Sequence, residues 1–373
     1  MKRAFFLLLL LGWLAAFSGA AESILVISDL HLTENVSDFV PAMTAVQQQA
    51  RKSDVLLLLG DNTNNGKPAE HQLLLQWLEK TARETGVQVC VIPGNHDLGQ
   101  HVDRAAFAGL YAAFGPDRAF ARDEGTASYA VMTPGGACLL MLDTNAYDSP
   151  THVIPTGGIR AETITWVDSV LAGLDDAVPV IACGHHPLLP ESRYQATPGA
   201  VELADVMARR GVTLYLCGHD HGFATVDDPR LRQITVGQPH AYPGWGGAVS
   251  WDGAGIHWRA QPLYAPDSAA YTALRQGAEA LGDSMARGTL RGTAYQDDPG
   301  AIGWFTRAFV QSVGGELTPE ICADLLNDEN CRKWREIETR TVVKDWMLGL
   351  LENCPLNVKR IDVPLRRGSE WVE

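Results

Sequence analysis

The segment VPVIACGHHP (residues 178–187) joins a run of apolar residues to a glycine and two adjacent histidines. The same arrangement, an apolar run followed by a short polar cluster, recurs at VTLYLCGHDH (212–221), ILVISDLH (24–31), VLLLLGDN (55–62) and VQVCVIPGNHD (87–97). Such runs, together with ACLLMLD (137–143), predict strands that are buried on both faces. Helical patterns at 70–84, 161–174 and 199–210 alternate with them. The chain is therefore predicted to form a layered α/β domain.

The polar clusters predict a metal centre. In open α/β sheets, ligands bind beyond the carboxyl ends of the strands, where all five clusters lie. Asp29 and His31 would point the same way on an extended segment, and His219 and His221 have the same spacing. The carboxylates, the amide oxygen of Asn95 and the imidazoles suit Mn, Fe or Zn better than Ca or Mg. They exceed the needs of one ion, which predicts two divalent ions that share a carboxylate, with Asp61 as the bridge.

These five blocks, in this order, resemble those of the calcineurin-like metallophosphoesterases, and in particular the bacterial phosphodiesterase-like branch. The resemblance covers about residues 23–262 and includes Leu142-Asp143-Thr144, Gly158 and Trp166. It implies a four-layer α/β/β/α sandwich. It also implies the two ligand sets: one ion would be held by Asp29, His31, Asp61 and His221, and the other by Asp61, Asn95, His185 and His219.

The resemblance further implies the chemistry, which is hydrolysis of phosphoester bonds, chiefly diesters, by metal-activated hydroxide. His96 would lie near the phosphate without binding metal, and Asp97 would orient it or raise its pKa. The candidate substrate-binding residues are Asn95, His96, Asn145 and His240. The loop residues His101, Tyr242 and Trp245 are further candidates for the pocket lining.

Two other functions remain open from the sequence. A phosphomonoesterase could use the same site, and a catalytically inactive metal-binding scaffold belongs to a different class. Two branches of the superfamily fit poorly. Protein Ser/Thr phosphatases carry Glu where this chain has Asp97, and purple acid phosphatases carry a metal-binding Tyr where it has Asn64.

The two histidines of the opening segment are predicted to differ in role. Cys183-Gly184-His185 repeats as Cys217-Gly218-His219. Matching the two copies places His185 in the position of the ligand His219. His186 is then expected to lie outside the set of direct ligands, either as a packing residue or as one that supports the ligands.

The ends of the chain suggest its destination and organisation. A basic start, a short apolar run and small residues predict a signal peptide at 1–21, and hence a secreted or periplasmic protein with no stable membrane anchor after cleavage. The catalytic domain is predicted at 22–262, a helical domain at 263–354 and a tail at 355–373. Asp298-Pro299 and Thr318-Pro319 are typical helix starts. The helical domain is expected to cover one side of the site or to make a dimer contact.

The net charge limits the classes of partner, and the cysteines suggest where a disulfide could form. The net charge of −14 repels nucleic-acid backbones, so no nucleic-acid polymer is expected and a small-molecule phosphoester is the predicted substrate. Cys90, Cys138, Cys183 and Cys217 lie in predicted strands and are expected to be buried thiols. In an oxidising compartment, Cys322, Cys331 and Cys354 are expected to supply one disulfide.

Overall fold

A computed structural model describes residues 22–149, 152–189, 197–338, 341–354, 359–367 and 370–371. The predicted signal peptide lies outside these residues. The strands are β1 (Ile24–Ile27), β2 (Val55–Leu58), β3 (Gln88–Val91), β4 (Ala121–Arg122), β5 (Tyr129–Met132), β6 (Cys138–Met141), β7 (Ala146–Ser149), β8 (His152–Ile154), β9 (Val180–Cys183), β10 (Leu214–Cys217), β11 (Ala224–Asp227), β12 (Arg232–Thr235), β13 (Trp245–Trp251), β14 (Gly255–Pro262), β15 (Arg360–Pro364), β16 (Arg366–Arg367) and β17 (Glu370–Trp371). The six predicted buried strands all form.

The helices are α1 (Val40–Ala50), α2 (Pro68–Thr85), α3 (Arg104–Leu110), α4 (Ala161–Ala172), α5 (Ala200–Arg209), α6 (Ala269–Leu290), α7 (Pro299–Val313), α8 (Pro319–Asn327), α9 (Glu329–Glu336) and α10 (Val342–Asn353). Asp298 and Thr318 cap α7 and α8 through side-chain oxygens that accept from the backbone N–H three residues on. Both predicted helix starts are therefore confirmed.

Two mixed sheets carry the catalytic region. One has the order β15-β14-β13-β1-β2-β3, and the other has the order β11-β12-β10-β9-β6-β5-β4. Strands β1, β2 and β3 run parallel, as do β6, β9, β10 and β12. The carboxyl ends of the parallel strands therefore lie along one edge of each sheet.

Alternate residues of these strands enter different cores, which creates four layers. Val26 and Leu57 of the first sheet share a core with Leu216 of the second. The opposite face of the first sheet packs on α1, α2 and α3, and the opposite face of the second packs on α4 and α5. The predicted α/β/β/α sandwich is confirmed.

The C-terminal region is helical over residues 269–353, as predicted. Its own core includes Trp304, Phe305 and Trp334, and Tyr242 from the catalytic region joins that core. The Tyr242 hydroxyl donates to Glu316 (3.0 Å). The tail then returns, because β15 pairs antiparallel with β14 and becomes the edge of the first sheet. Within the described part of the chain, no helix is long and apolar enough to cross a membrane.

Candidate metal centre

The loops that follow β1, β2, β9 and β10 bring two sets of metal-ligand atoms together. In each set the atoms lie within 4.8 Å of one another. One set comes from Asp29, His31, Asp61 and His221, and the other comes from His185, His186 and His219. The first set coincides with one of the two ligand sets implied by the sequence.

Asp61 joins the two sets. Its Oδ2 lies 3.6 Å from Nε2 of His31 and 3.3 Å from Nε2 of His185. Its Oδ1 accepts a hydrogen bond from the backbone N–H of His96 (2.8 Å). One carboxylate oxygen thus stands between an imidazole from each set, which is the position of a bridging ligand.

The ligand loops adopt left-handed backbone conformations. Among the described residues, six non-glycine residues have positive φ, and five of them are predicted ligands: Asp29 (54°), His31 (47°), Asp61 (48°), His219 (75°) and His221 (58°). The extended geometry that the sequence suggested for the Asp29/His31 and His219/His221 pairs is therefore wrong. Each such residue costs about 1–3 kcal/mol and persists only because the surrounding structure enforces its conformation, and such strain clusters at functional sites.

Backbone hydrogen bonds between the loops hold these residues in the left-handed conformation. The N–H of Asp29 donates to the Gly60 carbonyl (3.0 Å), and the N–H of His31 donates to the Asp61 carbonyl (2.8 Å). Two glycines permit the close approach of these loops. A Cβ at Gly94 would lie 2.2 Å from Oδ1 of Asp61, and a Cβ at Gly218 would lie 2.4 Å from Oδ2 of Asp29.

Hydrogen bonds fix the tautomers of the adjacent histidines. Nδ1 of His185 donates to the Leu59 carbonyl (2.9 Å), which turns Nε2 toward Asp61 and makes it the nitrogen that could bind a metal. Nε2 of His186 donates to the Pro155 carbonyl (3.1 Å), and its Nδ1 accepts from the Thr144 hydroxyl (2.8 Å). The ring of His186 is therefore near the centre, but both of its nitrogens are already used in hydrogen bonds to Thr144 and Pro155.

Burial and neighbouring charges set the protonation states. Burial lowers the pKa values of His31 and His219 to about 3, so both rings are neutral, as metal ligands must be. Burial alone would lower the pKa of His185, but the Asp61 carboxylate raises it to about 9. His185 likewise lowers the pKa of Asp61 against the effect of burial. A cation bound here would displace the His185 proton.

Two buried atoms test whether the residues fit a metal pair. Nε2 of His185 and Oδ1 of Asn95 are inaccessible to solvent and lack a hydrogen-bond partner of acceptable geometry. An unpartnered buried polar atom costs about 1–3 kcal/mol, so such atoms point to a missing partner. A divalent ion is a suitable partner for an imidazole nitrogen or an amide oxygen. The residues therefore fit the implied metals.

The structure assigns Asp97 a different task from the predicted one. Its fully buried carboxylate accepts hydrogen bonds from backbone and side-chain groups of Asn62 and Thr63, and from the backbone N–H of Gly94. It ties the loop after β2 to the loop after β3 and does not orient the His96 ring. Nδ1 of His96 instead donates to the Asn64 carbonyl (2.8 Å). His71 supports the same loop, because its Nε2 donates to the Asp97 carbonyl (3.0 Å).

His96 lies at the open side of the centre. Its ring is exposed and packs edge-on against His31, with 4.8 Å between the ring centroids. Because Nδ1 is engaged with a carbonyl, Nε2 is the nitrogen left for a substrate. The predicted contact of His96 with the phosphate stays a prediction.

The other residues predicted to contact the substrate lie in different parts of the structure. Asn145 is 1% exposed, and its amide donates to the Pro93 carbonyl (3.1 Å) and to Asp143 (2.9 Å), so it supports the loop before Asn95. His240 lines a cavity together with His221, and burial lowers its pKa to about 4. His101 lines a separate surface hollow beside α2 and α3. Trp245 packs against Phe223, with 5.5 Å between centroids.

Sequence reasoning missed three supporting residues: Asn62, Thr63 and Thr144. The first two form hydrogen bonds with the Asp97 carboxylate, and the Thr144 hydroxyl forms hydrogen bonds with the backbone N–H and the Nδ1 atom of His186. Their signal was position, since each lies within a few residues of the carboxyl end of β2 or β6.

Comparison with known proteins shows what the chain is similar to. A family model described as calcineurin-like phosphoesterase matches residues 22–223. The chain is 26% identical over 251 residues to a Synechococcus protein named "probable cyclic nucleotide phosphodiesterase", covering 61% of this chain and 88% of that protein. It is 27% identical over 190 residues to a glycerophosphodiester phosphodiesterase of Enterobacter lignolyticus, covering 50% and 61% respectively. A solved dimetal phosphatase from Danio rerio aligns with 14% identity and a TM-score of 0.49, covering 65% of this chain and 96% of that one.

Proposed function

Because the chain belongs to the calcineurin-like phosphoesterase family, we propose that it hydrolyses small-molecule phosphodiesters at a centre of two divalent metal ions. The observation that carries the proposal is the position of Asp61 Oδ2 between Nε2 of His31 (3.6 Å) and Nε2 of His185 (3.3 Å). A carboxylate oxygen between two imidazoles of separate sets is the arrangement that a shared ligand requires.

The two groups support two ligand sets once His186, whose nitrogens are in use, is left out of the second and Asp61 and Asn95 are added to it. Asp29, His31, Asp61 and His221 would hold one ion, and Asp61, Asn95, His185 and His219 would hold the other. When bound, Mn, Fe or Zn ions supply Lewis-acid charge, which lowers the pKa of water and stabilises the negative charge that develops on the phosphoryl group. The local positive charge also attracts an anionic ester to a protein whose net charge is −14.

The chain's own residues would hold the reacting groups in place and protonate the leaving oxygen. The Asn64 carbonyl fixes the His96 ring, so that Nε2 is available to hold a proton for the leaving oxygen. Such proton transfer contributes typically 10²–10⁴-fold to a rate. The Asp97 carboxylate holds Asn95 and His96 in place relative to Asp61. It accepts hydrogen bonds from Thr63 in the loop after β2 and from Gly94 in the loop after β3.

A paired assay tests the proposal. Metal-reconstituted protein is given bis(p-nitrophenyl) phosphate and p-nitrophenyl phosphate, followed by cyclic nucleotides and glycerophosphodiesters. We expect a higher kcat/KM for the diester than for the monoester. Faster turnover of the monoester would establish the phosphomonoesterase instead. No turnover of any ester by folded, metal-loaded protein would establish the inactive scaffold.

We also propose that the protein is exported. The support is the composition of residues 1–21, which has a basic start, an apolar run and small residues before Glu22. N-terminal sequencing of the protein expressed in a bacterium should find a chain that begins near Glu22 outside the cytoplasm. A full-length chain in the cytoplasm would overturn this proposal.

A further inference from the structure

A cavity of about 480 Å³ opens between the catalytic region and the C-terminal helices. The loops after β10 and β12 form one wall, and α6, α7 and α10 form the other. Its volume is in the range of small-molecule pockets, which is about 300–1,000 Å³. The cavity lies between parts of the chain that are far apart in sequence, so it exists only because the helices pack against the sandwich.

The cavity borders the metal centre at His221, which lines the cavity and also belongs to one of the two sets of metal-ligand atoms. This side chain is 46% exposed and lines the cavity, while its Nε2 lies 3.0 Å from Nε2 of His31 and 3.5 Å from Oδ1 of Asp29. A phosphorus atom held at the metal centre therefore has the cavity beside it. One of its two ester groups can extend past His221 toward the helices.

The two walls of the cavity differ in polarity. The wall formed by the loops carries His221, Gln238 and His240. The wall formed by the helices carries Leu274, Phe309, Trp346 and Leu350. None of the described residues that line the cavity is Lys or Arg, and Asp220 adds an acidic group. An anionic group would find no counter-charge there, whereas an apolar group would gain about 25 cal/mol for each Å² removed from water.

We propose that this cavity binds an uncharged, largely apolar ester group of the substrate, either an alkyl chain or an aromatic ring. The inference rests on the proposed phosphodiesterase function and names its substrate class. The metal centre takes the phosphate, and the helical region selects the alcohol by its hydrophobic surface. Diesters whose second group is charged are poor substrates on this account.

Gly277 offers a clean way to fill the cavity. It lies on α6, lines the cavity, and has no heavy atom within 4 Å of the position that a Cβ would take. Gly288 lies on the same helix with equally open surroundings but does not line the cavity. Gly277→Leu and Gly288→Leu therefore form a matched pair, since both remove a helical glycine and only the first occupies the cavity. Gly277→Ala is a milder second variant.

The assay uses p-nitrophenyl phosphodiesters whose second group is methyl, butyl, octyl, phenyl or carboxyethyl. We expect kcat/KM of the wild type to rise with apolar size, by about three- to fourfold per buried methylene until the cavity is full, since each contributes about 0.8 kcal/mol. The carboxyethyl ester should be the poorest. Octyl against phenyl shows whether the cavity prefers a chain or a ring.

The variants separate this inference from the proposed function. Gly277→Leu should lower kcat/KM for the octyl and phenyl esters at least tenfold and leave the methyl ester unchanged, while Gly288→Leu should match wild type. The dissociation constant of octylphosphonate, measured by calorimetry, should rise likewise in Gly277→Leu only. Turnover of the methyl ester with a flat substituent series would overturn the inference and leave the phosphodiesterase intact. If the wild-type protein hydrolyses none of the diesters, both the inference about the cavity and the proposed phosphodiesterase function are overturned.

Discussion

His185 and His186 are consecutive residues whose rings are used in opposite ways. Nε2 of His185 lies 3.3 Å from Oδ2 of Asp61, whereas Nε2 of His186 is bonded to the Pro155 carbonyl at 3.1 Å. The first ring is free to bind a metal, and the second braces the loop that carries the first. Their different hydrogen bonds, more than their order in the chain, set this division.

The first prediction follows from that contrast. His185→Ala should lose one metal ion per chain, because it removes a ligand. His186→Ala should keep both ions at saturating metal, with an affinity lowered by no more than roughly 10–100-fold, as for other residues that brace a ligand. Metal content measured by mass spectrometry on the two purified variants decides between them. Equal loss of metal from both would show that His186 is itself a ligand.

Asp61 should be required for both ions. Asp61→Ala removes the oxygen that lies between His31 and His185, and it leaves the buried imidazole of His185 without its counter-charge. We expect loss of both metals and of diester hydrolysis. Circular dichroism on the same sample controls for folding. A folded Asp61→Ala protein that still binds two ions would contradict the bridging role.

His96 should affect rate without affecting metal content. His96→Ala is expected to keep both ions and to lower kcat by about 10²–10⁴-fold, because it removes the group that protonates the leaving oxygen. The defect should shrink for a substrate with a good leaving group such as p-nitrophenolate, relative to an alkyl leaving group. A missing ion in His96→Ala would mean that the residue is a ligand.

Cys322 and Cys354 are the pair expected to form the C-terminal disulfide. Their Sγ atoms are in contact at 2.8 Å across 32 residues of chain, and both are free thiols in the structure. Oxidised glutathione should convert the two thiols to a disulfide while it is itself reduced. Closing a loop of this length stabilises a protein by about 3–4 kcal/mol on the chain-entropy model.

Alkylation followed by peptide mapping measures the pairing, and thermal unfolding measures the gain. Cys331→Ala should still form the bond, and Cys322→Ser should lose it along with the rise in Tm. A disulfide to Cys331 would contradict the assignment.

The edge of the first sheet should be more stable at low pH than at high pH. Nδ1 of His257 on β14 lies 2.8 Å from Asp362 on β15, and Nε2 lies 3.2 Å from Asp252. The hydrogen bond with Asp362 raises the pKa of His257 above its usual value. Because its pKa is higher in the folded state, protonated His257 stabilises the fold. This contribution is fully present below about pH 6.5, which is the pKa of histidine in the unfolded chain. That stability is lost as the pH rises through the folded value.

His257→Gln therefore should cost more stability at pH 5.5 than at pH 8.5, by under about 1 kcal/mol because the group is near the surface. Denaturant unfolding of both proteins at the two pH values gives the difference. An equal cost at both pH values would show that the pair carries no charge-dependent stability.

Several features were readable from the sequence because they are encoded locally. A buried parallel strand requires a continuous apolar run, so β1, β2, β3, β6, β9 and β10 stood out. A helix start requires a capping oxygen and tolerates proline, which located α7 and α8. The polar clusters were visible because each follows a strand directly, and the repeated Cys-Gly-His pointed to His185 over His186.

Other features depended on contacts between residues that are distant in the chain. The left-handed conformations of the ligand loops arise from hydrogen bonds such as His31 N–H to the Asp61 carbonyl, which periodicity does not encode. Asp97 was assigned to its neighbour His96, yet its partners are Asn62, which lies 35 residues earlier, and Thr63, which lies 34 residues earlier.

The sequence by itself indicated the layered α/β class and the candidate ligand residues, because strand periodicity and polar residues at strand ends are local signals. The four-layer sandwich and the two ligand sets were implied by the family resemblance. Only the tertiary structure decided how the rings of His185, His186 and His96 are hydrogen-bonded, what Asp97 holds, and that β15 returns to the first sheet. It alone also created the apolar cavity beside His221, since the walls of that cavity come from segments more than 30 residues apart that meet only through packing.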